Sequence, residues 1–273
     1  MAGPQNEEQK AQEARLKQRM ADIKHKVTIL SGKGGVGKTT VSVNMALALA
    51  DKGHKVGLLD TDLHGPNIPK MLGIEDAQLV GRDDGIEPYQ AAQNLWVVSL
   101  SMAGHGPDSP VIWRGPLKIG VIKQFLADVH WGELDYLIID TPPGTGDEPL
   151  TVLQLLPELD GSVVVTTPQK VAILDSRKSI NFSKQLNIPV LGVVENMSGL
   201  ICPHCGKEIP VFGKGGGKEA AEEMEVPFLG GIPIDQALME AEDEGRHYIT
   251  GDSDGTSVKA LREIVGDVEQ RIG

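Results

Sequence analysis

The stretch Gly32-Lys33-Gly34-Gly35-Val36-Gly37-Lys38-Thr39-Thr40 decides how the rest of the chain is read. A short apolar run at residues 27–30 precedes it, and a helix-prone run at 41–52 follows. A strand, a Gly-x-x-x-x-Gly-Lys-Thr loop and a helix in that order make a Walker A phosphate loop. Small residues are needed there because backbone N–H groups must close around phosphate oxygens. The N-terminus of the following helix adds a dipole that favours the anion. On this reading Lys38 reaches the outer phosphates and the Thr39 hydroxyl ligates Mg²⁺. A dinucleotide-binding Gly-x-Gly-x-x-Gly turn fits less well, because Lys38-Thr39 has no role in it and the acidic residue it needs further on is missing.

Outward from the loop, short apolar runs recur at 56–59, 95–100, 136–139, 162–166 and 190–194. Most are continuous rather than alternating, as expected of parallel strands covered on both faces. Helical stretches at 117–129, 150–156 and 171–186 lie between them. The alternation predicts an α/β fold, a doubly wound and mostly parallel sheet with helices on both faces. Ligands of such sheets bind at the carboxyl ends of the strands. Residues 1–24 read as a polar, solvated arm, with real order beginning at Val27. Residues 25–273 read as one phosphate-loop domain, with a Cys-x-x-Cys insertion near 198–216. The tail at 256–272 has helical spacing, and its polar face mixes both charges, so a helix docked on the core is expected rather than a membrane-surface helix.

Two acidic segments fall at later strand ends. Asp60-Thr61-Asp62 follows the run at 56–59, and Asp140-Thr141-Pro142-Pro143-Gly144 follows 136–139. An aspartate at a strand end near the loop can hold Mg²⁺ through its waters, and Asp140 suits that Walker B role. Asp60 is a candidate for supporting Mg²⁺ or the loop geometry, and Asp62 for orienting the attacking water. Gly144 would let its loop approach the γ-phosphate and move after hydrolysis. Isolated aspartates at strand ends also commonly cap turns, and each of these could do only that.

The chain has 273 residues, of which 40% are hydrophobic and 23% charged, enough for one large core. Its formal net charge of -12 argues against non-specific attraction to nucleic acid or anionic membranes. No apolar segment has the length of a signal h-region or a membrane span, so a cytoplasmic protein is expected. The two cysteines, Cys202 and Cys205, are too few and too close for a disulfide framework. Cys202-Pro203-His204-Cys205-Gly206 instead has the shape of a metal knuckle, with both thiols able to meet one ion. Thiolates suit zinc or an iron–sulfur cluster. One knuckle supplies half the ligands needed, and a symmetric dimer with two knuckles meeting on its axis would supply the rest. A zinc completed by His204, or a redox dithiol, is the alternative. The segment Ile209-Pro210-Val211 after the pair does not open a helix as a thioredoxin-type dithiol would.

The loop's second lysine, Lys33, is either a solvent-exposed loop residue or something more. The pattern Gly-Lys-Gly-Gly-x-Gly-Lys-Thr-Thr resembles the deviant Walker A of the nitrogenase-iron-protein/MinD/ParA class, which implies that Lys33 crosses a dimer interface to the partner's nucleotide. A narrower resemblance covers about residues 26–249. Asp60-Thr61-Asp62-Leu63-His64-Gly65-Pro66-Asn67-Ile68-Pro69, Val111-Ile112-Trp113-Arg114-Gly115-Pro116, Asp140 to Asp147, Val194-Glu195-Asn196-Met197-Ser198 and the Cys-x-x-Cys knuckle are together similar to the Mrp/ApbC-type iron–sulfur cluster carrier ATPases. The resemblance implies a homodimer that carries a [4Fe–4S] cluster bridging the two subunits on Cys202 and Cys205. Such a dimer passes the cluster to apo iron–sulfur proteins, with ATP binding and hydrolysis changing its geometry. It also implies that Asn196 contacts the adenine ring and that Gly231-Ile232-Pro233 forms the other wall of that pocket. Related eukaryotic-type carriers have a four-cysteine N-terminal cluster. Residues 1–24 contain no cysteine, so only the bridging cluster is expected. Two other functions fit parts of the pattern: a spatial-organising ATPase of the MinD/ParA type, and a zinc-clamped dimer with regulatory nucleotide binding.

Overall fold

A computed structural model describes residues 4–62, 65, 67–82, 85–102, 115–202, 204–251 and 253–273. Leu63, His64, Pro66, residues 111–114 and Pro203, all quoted above, lie outside the described residues. In chain order the first elements are α1 (Pro4–Ala21), β1 (Ile23–Ser31), α2 (Lys38–Asp51), β2 (Val56–Asp60) and α3 (Ile68–Met71). A small hairpin, β3 (Val80–Arg82) and β4 (Gly85–Glu87), leads to β5 (Tyr89–Ala92) and β6 (Leu95–Ser99). Then come α4 (Gly115–Asp128), β7 (Leu134–Asp140), α5 (Asp147–Leu155), β8 (Gly161–Thr166) and α6 (Lys170–Gln185). The last third holds β9 (Val190–Ile201), β10 (Glu208–Ile209), α7 (Gly216–Glu223), β11 (Phe228–Ile234), α8 (Gln236–Asp243) and α9 (Thr256–Ile272).

The main sheet runs β10-β9-β8-β1-β7-β2-β6-β5, with β11 pairing β9. Every pairing from β11 through β9, β8, β1, β7 and β2 to β6 is parallel. Only β5 and β10 run antiparallel, as short hairpin partners of β6 and β9. Continuous apolar strands follow from two-sided burial. On β7, Tyr136 and Ile138 face one core, and Leu137 and Ile139 face the other. The first core is closed by α2 and α9, the second by α1 and α4, and a smaller third lies under α6 and α7. The tail is the docked helix the spacing predicts, with Val258, Leu261, Ile264, Val265 and Val268 all buried.

Three departures from the sequence reading have physical reasons. Order begins before Val27, because β1 starts at Ile23, which is buried. Its polar Lys24-His25-Lys26 segment disguises a strand. The Lys26 ammonium is buried but donates to the carbonyls of Met20 and Ile23, at 3.3 and 3.0 Å. Second, the segment before it is not simply solvated: α1 buries Leu16 and Met20 in the same cluster as Ile122, Phe125 and Leu126 of α4. Two apolar side chains one turn apart in a charged helix leave a weak periodic signal. The strand β11 also escaped the reading, since Gly230, Gly231 and Pro233 interrupt it and its pairing with β9 shifts register twice.

Candidate nucleotide site and cysteine turn

The parallel order places three strand ends side by side. Ile29 of β1 stands in register with Asp140 of β7, and Asp140 with Asp60 of β2. The loop after β1 therefore opens directly above both aspartates, where the chain switches sides of the sheet.

The loop's glycines are needed for different reasons. Gly37 starts α2 at φ 80°, and a β-carbon on it would lie 2.0 Å from Asn196 Nδ2. One on Gly32 would lie 2.2 Å from the backbone of Asp175. Gly34 and Gly35 instead face open space, with nothing within 4 Å of where a β-carbon would stand. That space is a cleft of about 390 Å³, lined on the loop side by Lys33, Gly34, Gly35, Gly37, Lys38, Thr39 and Thr40. No side chain caps α2 at Gly37, so the first-turn N–H groups of this 14-residue helix are left for a bound anion.

Asp140 is the hub beneath the cleft. It is fully buried, its Oδ2 lies 2.7 Å from Lys38 Nζ, and it accepts the Thr39 hydroxyl at 2.8 Å. Its Oδ1 accepts the Ser42 hydroxyl at 2.5 Å, and its carbonyl accepts the Thr61 hydroxyl at 2.8 Å. The Lys38 contact is a buried ion pair with this one carboxylate. Among the described residues this buried ammonium has no hydrogen-bond acceptor. A buried donor group without acceptors is what a phosphate oxygen would satisfy.

Asp60 accepts the Ser99 hydroxyl at 2.8 Å and the Asp62 N–H at 3.0 Å. Burial, and next the neighbouring Asp140 charge, push its carboxyl up to about 8. Hence the geometry holds two carboxylates together at the cost of keeping one protonated. A divalent cation would remove that conflict, and the Thr39 hydroxyl with these carboxylates forms the hard oxygen set that Mg²⁺ takes. Among the described residues no three His, Cys, Asp or Glu side chains form a ready metal cage, so phosphate oxygens and water would have to complete its shell. Asp62 is half-buried and lines the cleft beside Gly65, Asn67 and Pro143. Gly144 donates its N–H to the Ser31 carbonyl at 2.7 Å, which ties the loop after β7 to the end of β1.

Gly32, Val36, Asn196 and Pro233 lie outside the residues lining this cleft. Asn196 is buried behind the loop and donates from Nδ2 to the Val36 carbonyl at 2.9 Å. Ile232 of β11 pairs with Asn196, so Pro233 follows on the neighbouring strand. The cleft also has a wall that the sequence reading missed. Glu242 of α8 accepts the Thr40 hydroxyl at 3.2 Å and the Asn44 amide at 2.8 Å. Burial raises its carboxyl to about 7 against the opposing effect of those two donors. The acidic run around Glu240, Glu242, Asp243 and Glu244 looks like a solvated face, and only the fold turns Glu242 inward.

Cys202 and Cys205 sit at the far end of β9, in the turn that leads to β10. Cys202 donates its N–H to the Lys207 carbonyl and accepts that of Gly206, each at 2.9 Å. Both thiols are free, Cys202 half-buried and Cys205 exposed. N–H groups of His204 and then Cys205 directed at the Cys202 sulfur hold its thiol below the usual cysteine range. Around the turn Ile201, Ile209, Val211 and Phe212 are 39–49% exposed, an unusual density of bare apolar side chains.

With this geometry in place, the chain can be set beside known proteins. Residues 22–269 match the family model described as ParA: NUBPL iron-transfer P-loop NTPase. The chain belongs to that family. It is similar to the "Iron-sulfur cluster carrier protein" of Methanocaldococcus jannaschii, 52% identical over 260 residues, covering 94% of this chain and 90% of that one. It is 49% identical over 252 residues to the "Cytosolic Fe-S cluster assembly factor NUBP2 homolog" of Nematostella vectensis, covering 91% and 93%. Among solved structures, a nucleotide-binding protein of Archaeoglobus fulgidus in complex with ADP superposes with a TM-score of 0.76 at 40% identity, covering 86% of this chain and 92% of that one. The family's P-loop NTPase fold is thus the architecture described above.

Proposed function

We propose that this protein is an ATPase that carries a [4Fe–4S] cluster on Cys202 and Cys205 and transfers it to apo iron–sulfur proteins. The observation that carries the proposal is one strand with two duties: β9 braces the phosphate loop through Asn196 and runs into the turn that holds two free thiols, one half-buried and one exposed. The curated relatives named as carriers and assembly factors support the cargo. One chain offers two thiolates where a cluster takes four, so a second copy supplies the other two. The bare apolar side chains around the turn support that pairing, since a homodimer would cover them. Free thiols and a thiolate-bound cluster suit a reducing cytoplasm.

In the nucleotide half, backbone N–H groups of residues 34–39 and the Lys38 ammonium would hold the β- and γ-phosphates. Mg²⁺, held through the Thr39 hydroxyl with Asp140 and Asp60, would neutralise charge on the phosphate oxygens. Asp62 would orient a water for attack on the γ-phosphorus and take its proton as the bond to the β–γ bridging oxygen breaks, leaving ADP and inorganic phosphate. Lys33, at the mouth of the cleft, would reach the partner's nucleotide and so make hydrolysis depend on the dimer. Asn196 and Pro233 would meet the adenine ring once the nucleotide is seated.

Anaerobic reconstitution with ferrous iron and sulfide should give a brown dimer with broad visible absorbance. Mixed with a purified apo-acceptor, that dimer should restore the acceptor's activity, at a rate that ATP changes. Zinc as the sole tightly held metal, or a brown protein that never loads an acceptor, would overturn the proposal.

A further inference from the structure

Neighbouring residues on a strand point to opposite faces. On β9 this sends Asn196 to the phosphate loop and leaves Glu195 on the other side, where it does something the nucleotide site does not use. Glu195 is 1% exposed. Its Oε1 accepts the Ser198 hydroxyl at 2.6 Å and the Gly215 N–H at 2.9 Å, and its Oε2 accepts the Gly217 N–H at 2.6 Å. Gly215 is the cap residue of α7, lies at φ 85° and has no side chain to cap with, so Glu195 serves that helix end from a distant strand. A β-carbon on Gly217 would come within 3.0 Å of Glu195 Cβ, so the helix start is seated directly on this side chain.

The segment between these partners is the cysteine hairpin. It is flanked by Ser198 in the last part of β9 and by Gly215 at the start of α7, and both flanks are fastened to the same carboxylate. One peptide bond away, Asn196 is fastened to the Val36 carbonyl and packed against Gly37. A shift of the phosphate loop on nucleotide binding would therefore move Asn196, and with it Glu195 and Ser198 on the same strand and, through the Glu195 carboxylate, the Gly215 end of the hairpin. We propose that Glu195 is a positioning residue that transmits the state of the phosphate loop to Cys202 and Cys205. The inference rests on the reading that the nucleotide and cysteine halves act as one device, and it names the part that joins them.

The chain has no cysteines besides these two, so thiol alkylation reports on this turn alone. Cluster-free protein would be treated with iodoacetamide with and without a non-hydrolysable ATP analogue, and the two rates compared. In the unaltered protein the ratio of rates should be about fivefold or more, as for an ordinary coupling between sites. Glu195→Gln presents an amide N–H₂ where a backbone N–H needs an acceptor. Its ratio should collapse toward one, while analogue affinity stays within about twofold of the unaltered protein. A merely structural role would shift both rates together and leave the ratio unchanged, and that result would overturn the inference. Ser198→Ala removes one of the three bonds and should lower the ratio partway. If Glu195→Gln does not fold, a full ratio in Ser198→Ala overturns the inference instead. A ratio of one in the unaltered protein would remove the coupling and leave cluster carriage standing. A clear ratio in a protein that cannot be loaded with iron and sulfide would do the reverse.

Discussion

At residues 32–40 the loop is held from below by Asp140, from behind by Asn196 and at its start by close contact with Asp175. The turn at 202–206 is held by two backbone hydrogen bonds, Cys202 to Lys207 and Gly206 to Cys202, and has one half-buried and one exposed thiol and uncovered apolar neighbours. Both hang from the same parallel sheet, yet only the first is completed by its own chain. A phosphate site can be preformed because its donors are backbone N–H groups fixed by a helix start. On the proposed function a cluster site stays incomplete in one chain, because half of its thiolates come from a second copy. The molecule thus looks like a finished switch joined to an unfinished socket, and the two should be separable by mutation.

The largest expected effect lies in the socket. Changing Cys202 and Cys205 together to serine should abolish cluster loading, read as complete loss of visible absorbance after reconstitution. Because the turn is exposed, stability should change by no more than about 0.5 kcal/mol, and ATP affinity of the cluster-free protein should hold. A parallel loss of nucleotide binding would break the comparison, since it would mean the turn helps build the loop.

The converse change is Asp140→Asn. The amide cannot accept from Thr39 and Ser42 while pairing with Lys38, so the cation and phosphate groups lose their common anchor. Steady-state ATP hydrolysis should fall on the order of 100-fold or more. Nucleotide-free cluster loading should match that of the unaltered protein. If loading fell with hydrolysis, the two halves would share a structural dependence beyond the Asn196–Glu195 link on β9.

How far the sequence carried this picture depends on where each signal resides. Gly32, Gly37, Lys38, Thr39, Asp60 and Asp140 are legible because backbone geometry and strand-end position constrain them locally. The six long parallel strands other than β11 were legible for a related reason, since two-sided burial demands apolar runs. Glu242 was not, because a lone acid in an acidic helix carries no sign of which way it faces. Nor was the α1 contact, where two side chains, Leu16 and Met20, do the packing. Glu195 was quoted as part of a resemblance, but two of its three partners, Gly215 and Gly217, lie across a hairpin that no local pattern describes.

Glu242 gives the smallest effect and asks whether the switch is finished on its outer wall as well. Its carboxyl titrates at about 7 in the fold against an ordinary value of 4.5, chiefly because it is buried. The folded protein therefore keeps a proton that the unfolded chain releases. Between those two values stability falls as pH rises, and above about 7 the loss is complete and flat. A glutamine there is neutral throughout, can accept from Asn44 with its oxygen and can donate to the Thr40 hydroxyl with its nitrogen. Glu242→Gln should therefore show no such fall. Denaturant unfolding of both proteins from pH 4.5 to 8 should show their stability difference growing by on the order of 2 kcal/mol in favour of the variant, with the growth confined below about pH 7. A difference that stays level across that range would mean Glu242 is solvated and the wall is open. Growth that continues above about pH 7 when ATP is present would instead place the nucleotide against this side chain, since an adjacent phosphate charge would push the carboxyl further up.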